Sequence, residues 1–209
     1  DVSKESDCQI LVDQAISTFK RIDVLVNNAG ISMRALFKDL DLQVLRNLMD
    51  VNFWGAVYCT KYAIPELLKH QGSVVGVSSI AGYRGLPGRT GYSASKFALN
   101  GFLEALRVEN LKTGLHVMIA SPGFTSSNIR KVALVKDGTA QGETSMDEDK
   151  MMSSEEVAQI IVKGIEQRKR SLIMTAQGKL TVFLNKVLPA WLDGLVYNHF
   201  TKEKDPLIK

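Results

Sequence analysis

Short apolar runs alternate with longer amphipathic stretches along most of the chain. The first periodic stretch reaches about Phe19, with Ser3 placed to cap it and Glu5 and Asp7 suited to its first turn. A β-branched run at Ile22–Val26 follows and ends in Asn27-Asn28-Ala29-Gly30. A second helical stretch covers about Leu42 to Lys69, with a kink expected at Pro65. Ser73–Ser78 reads as a strand, about Thr90 to Lys112 as a helix closed by Gly114, and His116–Ala120 as a strand stopped by Pro122-Gly123. Beyond a polar segment, Ser153 and Glu156 have the spacing of a capping box for a helix to about Arg168, and Ser171–Thr175 is a fourth strand.

Apolar strands without internal polar alternation, separated by helices, predict an α/β fold with a parallel sheet covered on both faces. Ligands of such sheets bind at the carboxyl ends of the strands. Three of the four strands end in small or polar residues, at Asn27–Gly30, Ser78-Ser79 and Ser121–Gly123, so the site is expected on that rim.

Composition adds little against this. The 209 residues are 45% hydrophobic and 23% charged, the balance of one compact domain over 1–209. The net charge of +4 comes from scattered cations, so a solvated surface is expected rather than a nucleic-acid groove. Cys8 and Cys59 have neither metal-ligand nor redox spacing and read as buried thiols of a reduced, cytoplasmic compartment. His70, His116 and His199 are isolated in sequence, and no metal site is expected. No apolar run is long enough to span a bilayer, and the N-terminus does not read as a signal peptide.

The sharpest chemical feature is Tyr92-x-x-x-Lys96. Four residues on a helix make about one turn, so the two side chains share a face. A phenol with a reference pKa of about 10 is a poor base at neutral pH, and a neighbouring ammonium is expected to lower that value. Such a tyrosine exchanges a proton at the pH where hydride transfer to a carbonyl requires one. Ser79, thirteen residues upstream at a strand end, would donate to an oxygen on which charge develops.

Five motifs then occur in order: Asn27-Asn28-Ala29-Gly30, Val51-Asn52, Ser78-Ser79-x-Ala81-Gly82, Tyr92-Ser93-Ala94-Ser95-Lys96 and Ser121-Pro122-Gly123. From Asp1 to about Thr175 the chain resembles the short-chain dehydrogenase/reductase family. The resemblance implies a Rossmann-like doubly wound sheet and an NAD(H)- or NADP(H)-dependent oxidoreductase that interconverts a carbonyl and a secondary alcohol. It implies Tyr92 as general acid/base, Lys96 as the residue that tunes it and holds the nicotinamide ribose, and Ser79 as the group that polarises the substrate oxygen. Asn52 would anchor a proton-relay water, Asn28-Ala29-Gly30 would line the cofactor, and Asp1-Val2 would meet its adenine. Pro122-Gly123 would turn beneath the nicotinamide. Thr125 or Ser127 would hold the carboxamide, and the sequence leaves that choice open. An epimerase or dehydratase, or a non-catalytic cofactor-sensing protein, are the competing readings.

The family's glycine-rich phosphate turn, Gly-x-x-x-Gly-x-Gly, does not occur in these residues, so the first βαβ half is expected to lie upstream of Asp1. NAD versus NADP selectivity is expected to lie there too. Phe124 to Met152 is expected to form the substrate loop, its apolar residues favouring a lipophilic carbonyl, with Asp137 to Asp149 as loop. Residues 179–200 read as one amphipathic helix, with Leu180, Phe183, Leu184, Val187, Leu188, Trp191, Leu192, Leu195 and Val196 in its apolar row. It is expected to dock on its own domain or a partner subunit, with shallow insertion at a membrane surface the second reading. Small residues at Ala94, Ala98, Gly101 and Ala105 permit close approach on the Tyr92 helix, against its own sheet or, as the resemblance implies, in a homodimer or homotetramer.

Overall fold

The computed structural model describes residues 1–142, 151–202 and 205–208. Part of the expected substrate loop, residues 143–150, therefore lies outside the described residues.

Four strands form one parallel sheet in the order β1 (Val24–Asn27), β2 (Ser73–Val77), β3 (His116–Ser121) and β4 (Ser171–Ile173). Helix α1 (Glu5–Phe19) precedes β1; α2 (Leu42–Met49) and α3 (Gly55–Lys69) lead to β2. Helix α4 (Thr90–Glu109) crosses to β3 and α5 (Ser154–Glu166) to β4, and α6 (Ala176–Val187) and α7 (Pro189–Phe200) complete the chain. Each crossover carries a helix because parallel neighbours cannot be joined by a tight turn.

The period-two alternation of the strands divides the core. Val74, Val117 and Ile119 face α3 and α4, where Leu67, Leu99 and Leu103 close the packing. Val75, Met118 and Ala120 face α5 through Ile161. Gly76 is required between β2 and α4, since a Cβ there would stand 2.3 Å from Leu103 Cδ1. On the α5 face the cover does not reach β1, and Val24 and Val26 are each 42% exposed.

Several local expectations are corrected. Ser3 does not cap α1: its hydroxyl bonds Asp1 Oδ1 at 2.8 Å, and Lys4 holds the N-cap position. Gly114 is left-handed, at φ 82°, but α4 has already ended at Glu109, and the glycine turns the chain into β3. The capping box of α5 is present, with Ser153 Oγ accepting from Glu156 N–H at 3.1 Å and Glu156 Oε2 from Ser153 N–H at 2.8 Å. Cys8 and Cys59 are both buried, and burial pushes the Cys59 thiol up to about 12.

The stretch from Leu42 to Lys69 is helical throughout, but its irregularity is not at Pro65. Asp50–Trp54 form a π-helical turn between α2 and α3, and Pro65 stays inside α3. A π-turn inserts one residue into the ladder and turns the following side chains out of phase. Here the side chain so placed is Asn52, which is buried.

The C-terminal residues form two helices rather than one. Leu188 leaves helical geometry at φ −137°, ψ 55°, and Pro189, which has no N–H to donate, starts the second helix. The apolar row points largely outward: Leu180, Phe183, Val187, Leu188, Trp191 and Leu195 are exposed. Of that row Leu192 is buried and docks, together with Val182 and Phe200 outside it and with Arg84, which bonds Asn185 at 3.0 Å and pairs with Asp193. The small residues of α4 likewise do not face the sheet. Leu99, Leu103 and Leu106 do, while Ala94, Gly101 and Ala105 are exposed. Among the described residues no helix is long and apolar enough to cross a membrane.

Candidate active site

A cavity of about 840 Å³ opens at the carboxyl ends of β1, β2 and β3. Its wall contains Asn28, Ala29 and Gly30 after β1, Ser78 and Ser79 after β2, and Pro122, Gly123 and Thr125 after β3. Tyr92 and Lys96 enter from the first turns of α4. Phe124, Ile129 and Val132 add apolar surface from the following segment, and Val157, Ile161 and Ile165 from α5. Arg89, Lys96 and Arg130 supply positive charge, and no carboxylate lines the cavity among the described residues.

Lys96 is 4% exposed, and its ammonium donates to the Val77 carbonyl at 2.9 Å. Burial without a carboxylate at hand holds its pKa down at about 8. Its Nζ lies 5.8 Å from the centroid of the Tyr92 ring. The Tyr92 pKa is raised, not lowered as the sequence led one to expect. Removal of the phenolate from water is the largest cause, opposed by a hydrogen bond with Ser79 and by the charge of Arg89. Spacing places a cation near a phenol, but the surrounding protein decides whether desolvation outweighs it.

Ser79 caps the short 3₁₀ turn Ile80–Gly82, its hydroxyl accepting from Ala81 N–H at 3.2 Å. Asn52 fixes the loop after β1: its Oδ1 accepts from Ile31 N–H at 2.8 Å, and its Nδ2 donates to the Ile31 carbonyl at 2.9 Å and to Ser95 Oγ at 2.9 Å. Gly30 lies between Asn52 and Lys96, since a Cβ would stand 3.2 Å from Asn52 Oδ1 and 3.4 Å from Lys96 Nζ. Thus Asn52, Ser79, Tyr92 and Lys96 converge, although they come from three different parts of the sequence.

Thr125 and Ser127 both line the cavity, so the fold brings in both candidates for that position; Thr125 Oγ1 donates to the Gly123 carbonyl at 3.2 Å. Asp1 and Val2 are not brought to the cavity. Val2 packs on Gly55, where a Cβ would meet its side chain at 2.9 Å, and the Asp1 amino group pairs with Asp7 at 3.0 Å. The sequence reading missed Ser95, Arg89 and the Val77 carbonyl. Ser95 and Arg89 lie three residues to either side of Tyr92, a helical spacing that could have drawn attention to them. A backbone acceptor leaves no trace in sequence.

The chain belongs to the short-chain dehydrogenase family, whose pattern matches residues 1–137. The 11-beta-hydroxysteroid dehydrogenase A of Arachis hypogaea is 37% identical over 203 residues, covering 92% of this chain and 57% of the relative. The crystal structure of a short-chain dehydrogenase from Streptomyces avermitilis superposes with a TM-score of 0.74 at 24% identity, over 98% of this chain and 79% of that one. The structure of ElxO with NADP bound matches 60% of this chain and 52% of its own at 31% identity, with a TM-score of 0.58. The chain spans 53% to 66% of the length of the curated relatives it matches.

Proposed function

We propose that the protein to which this chain belongs is an NAD(P)-dependent oxidoreductase that interconverts a carbonyl and a secondary alcohol, with Tyr92 as general acid/base. The observation that carries this reading is the convergence of Ser79, Tyr92 and Lys96 at one wall of a cavity with Asn52 behind Gly30.

The residues present fit a nicotinamide cofactor. At Gly30 a Cβ would press on Asn52 Oδ1 at 3.2 Å and touch Lys96 Nζ at 3.4 Å, and its absence leaves backbone bordering the cavity there. The positive lining, with no carboxylate among the described residues, suits an anionic cofactor. Asn28, Ala29, Gly30, Lys96, Pro122, Gly123 and Thr125 would hold the group, and when bound it supplies the hydride donor or acceptor. The ElxO structure with NADP supports this cofactor class.

The chain's own residues handle the proton and the oxygen. The Ser79 hydroxyl donates to the substrate oxygen, and Tyr92 gives its phenolic proton to the same atom as negative charge develops. At neutral pH the phenol is protonated, the form that gives a proton during carbonyl reduction, and desolvation, which raises its pKa, reinforces that state. Lys96, held by Val77, provides the charge that compensates the phenolate once the proton has left. Phe124, Ile129 and Val132 favour a lipophilic body next to the reacting carbonyl.

The test is Tyr92→Phe in the full-length protein. Turnover should fall by at least about a thousandfold while nicotinamide binding, read by fluorescence, is retained. A variant that keeps its activity would remove Tyr92 from the chemistry.

A second copy of the chain is the partner favoured by the exposed row Ala94, Gly101 and Ala105. Phe97 on the same helix and Trp54 at the adjoining π-turn are also exposed.

A further inference from the structure

Among the described residues, Ser78 Oγ, Asn100 Oδ1 and Ser121 Oγ are buried atoms beside the candidate site for which the protein supplies no hydrogen-bond partner. Their residues are 4%, 6% and 0% exposed. Strand alternation places them on one side of the sheet. Ser78 has the parity of Val74 and Gly76, and Ser121 that of Val117 and Ile119, the positions that face α4. Asn100 projects from α4 toward them, its Nδ2 donating to the Gly82 carbonyl at 2.9 Å. The two strands are in register there, since Ser78 N–H donates to the Ala120 carbonyl at 2.7 Å.

Gly82 packs against two members of this group, Ser78 and Asn100. A Cβ on it would stand 2.7 Å from Ser78 Oγ, 2.8 Å from Asn100 Nδ2 and 3.0 Å from the Lys96 carbonyl. Ser78 also stands between two residues of the proposed machinery. Val77 before it accepts from Lys96, and Ser79 after it bonds Tyr92.

Buried hydroxyl and amide oxygens left without partners are rare in folded proteins, and polar clusters of this kind are usually completed by an internal water with about three bonds. The arithmetic closes with one molecule. It donates to Asn100 Oδ1 and to one serine oxygen, and accepts from the hydroxyl of the other serine.

We propose that Ser78, Asn100 and Ser121 hold one structural water that ties the tips of β2 and β3 to α4, and that they thereby position Ser79 and Lys96. None of the three is a catalytic residue, and the positioning part rests on the function proposed above.

The first measurement is a high-resolution crystal structure of the full-length protein. A single water peak bonded to all three side chains is expected; a dry site, or direct bonds among the side chains, overturns the proposal whatever the protein catalyses. The second is a double-mutant cycle with Ser78→Ala and Ser121→Ala, read as kcat and KM. Each single variant is expected to lower kcat about tenfold with cofactor KM unchanged, and the double variant to lose little more, because either change releases the same water. Multiplying losses would mean that the serines act separately, and unaltered kcat would remove the positioning role. Failure of Tyr92 as the acid would show in Tyr92→Phe and leave the water peak in place, so the two readings fail separately.

Discussion

Asn52 and Ile31 exchange a pair of hydrogen bonds, side-chain carbonyl to backbone N–H at 2.8 Å and side-chain amide to backbone carbonyl at 2.9 Å. The pairing locks the loop that follows β1 against the π-turn between α2 and α3. A third bond, to Ser95, connects the same amide to the helix that carries Tyr92 and Lys96. One buried side chain thus joins the loop after β1 to the start of α4.

Replacement of Asn52 by leucine should therefore be costly. It leaves the Ile31 N–H and carbonyl without their partner and removes the bond that Ser95 Oγ accepts, while Ser95 keeps its own bond to the Tyr92 carbonyl; each buried polar group so orphaned costs about 1–3 kcal/mol. A loss of about 3 kcal/mol in urea unfolding is expected, together with weaker nicotinamide binding. Unchanged stability would mean that the loop pairs its backbone elsewhere.

Lys96 is a buried cation with no carboxylate partner among the described residues, so its presence favours function over stability. Lys96→Met, similar in volume and apolar, should unfold at a higher temperature than the native chain in the absence of cofactor and be inactive. The lowering of the pKa from 10.5 to about 8 corresponds to about 3 kcal/mol. A lower melting temperature for the methionine variant would contradict this.

The same group sets a pH dependence. With its pKa lowered in the folded state, Lys96 binds fewer protons folded than unfolded between about pH 8 and 10.5. Stability contributed by this group therefore rises with pH across that window and is flat below it. The difference between native and Lys96→Met unfolding free energies should shrink as pH rises from 8 to 10. A constant difference would indicate that the lysine is already neutral, or well solvated, at pH 8.

Ser153→Ala removes half of the α5 capping box, and a loss of about 1 kcal/mol is expected in thermal unfolding. Because Val157, Ile161 and Ile165 of this helix line the cavity, substrate KM should rise as well. A change below a few tenths of a kcal/mol would show that packing alone holds the helix start.

Gly101 sits on the outward row of α4, and a Cβ built there meets nothing within 4 Å. If a second copy docks on this row as proposed, Gly101→Arg should leave the fold intact, by circular dichroism, while lowering the sedimentation coefficient of the full-length protein. An unaltered sedimentation coefficient would remove this row as a self-association surface.

Much of this was legible in sequence because it is local. Apolar strand runs separated by amphipathic stretches sufficed for the parallel sheet, and small or polar strand ends at Asn27, Ser78 and Ser121 located the cavity rim. Helical spacing placed Tyr92 and Lys96 on one face, and the Ser153–Glu156 spacing announced the start of α5. Periodicity, however, says which residues share a face and not what the face meets. The rows at Ala94–Ala105 and Leu180–Leu195 were visible as rows, yet only the packed fold turned them outward, because Leu99, Leu103, Val182 and Leu192 fill the inner positions. Likewise, the π-turn that buries Asn52 and the desolvation that raises the Tyr92 pKa depend on neighbours distant in the chain. The sequence by itself determined the residue types available for the chemistry; the tertiary structure decided their environment, since burial and orphaned hydrogen bonds arise only where separate segments meet.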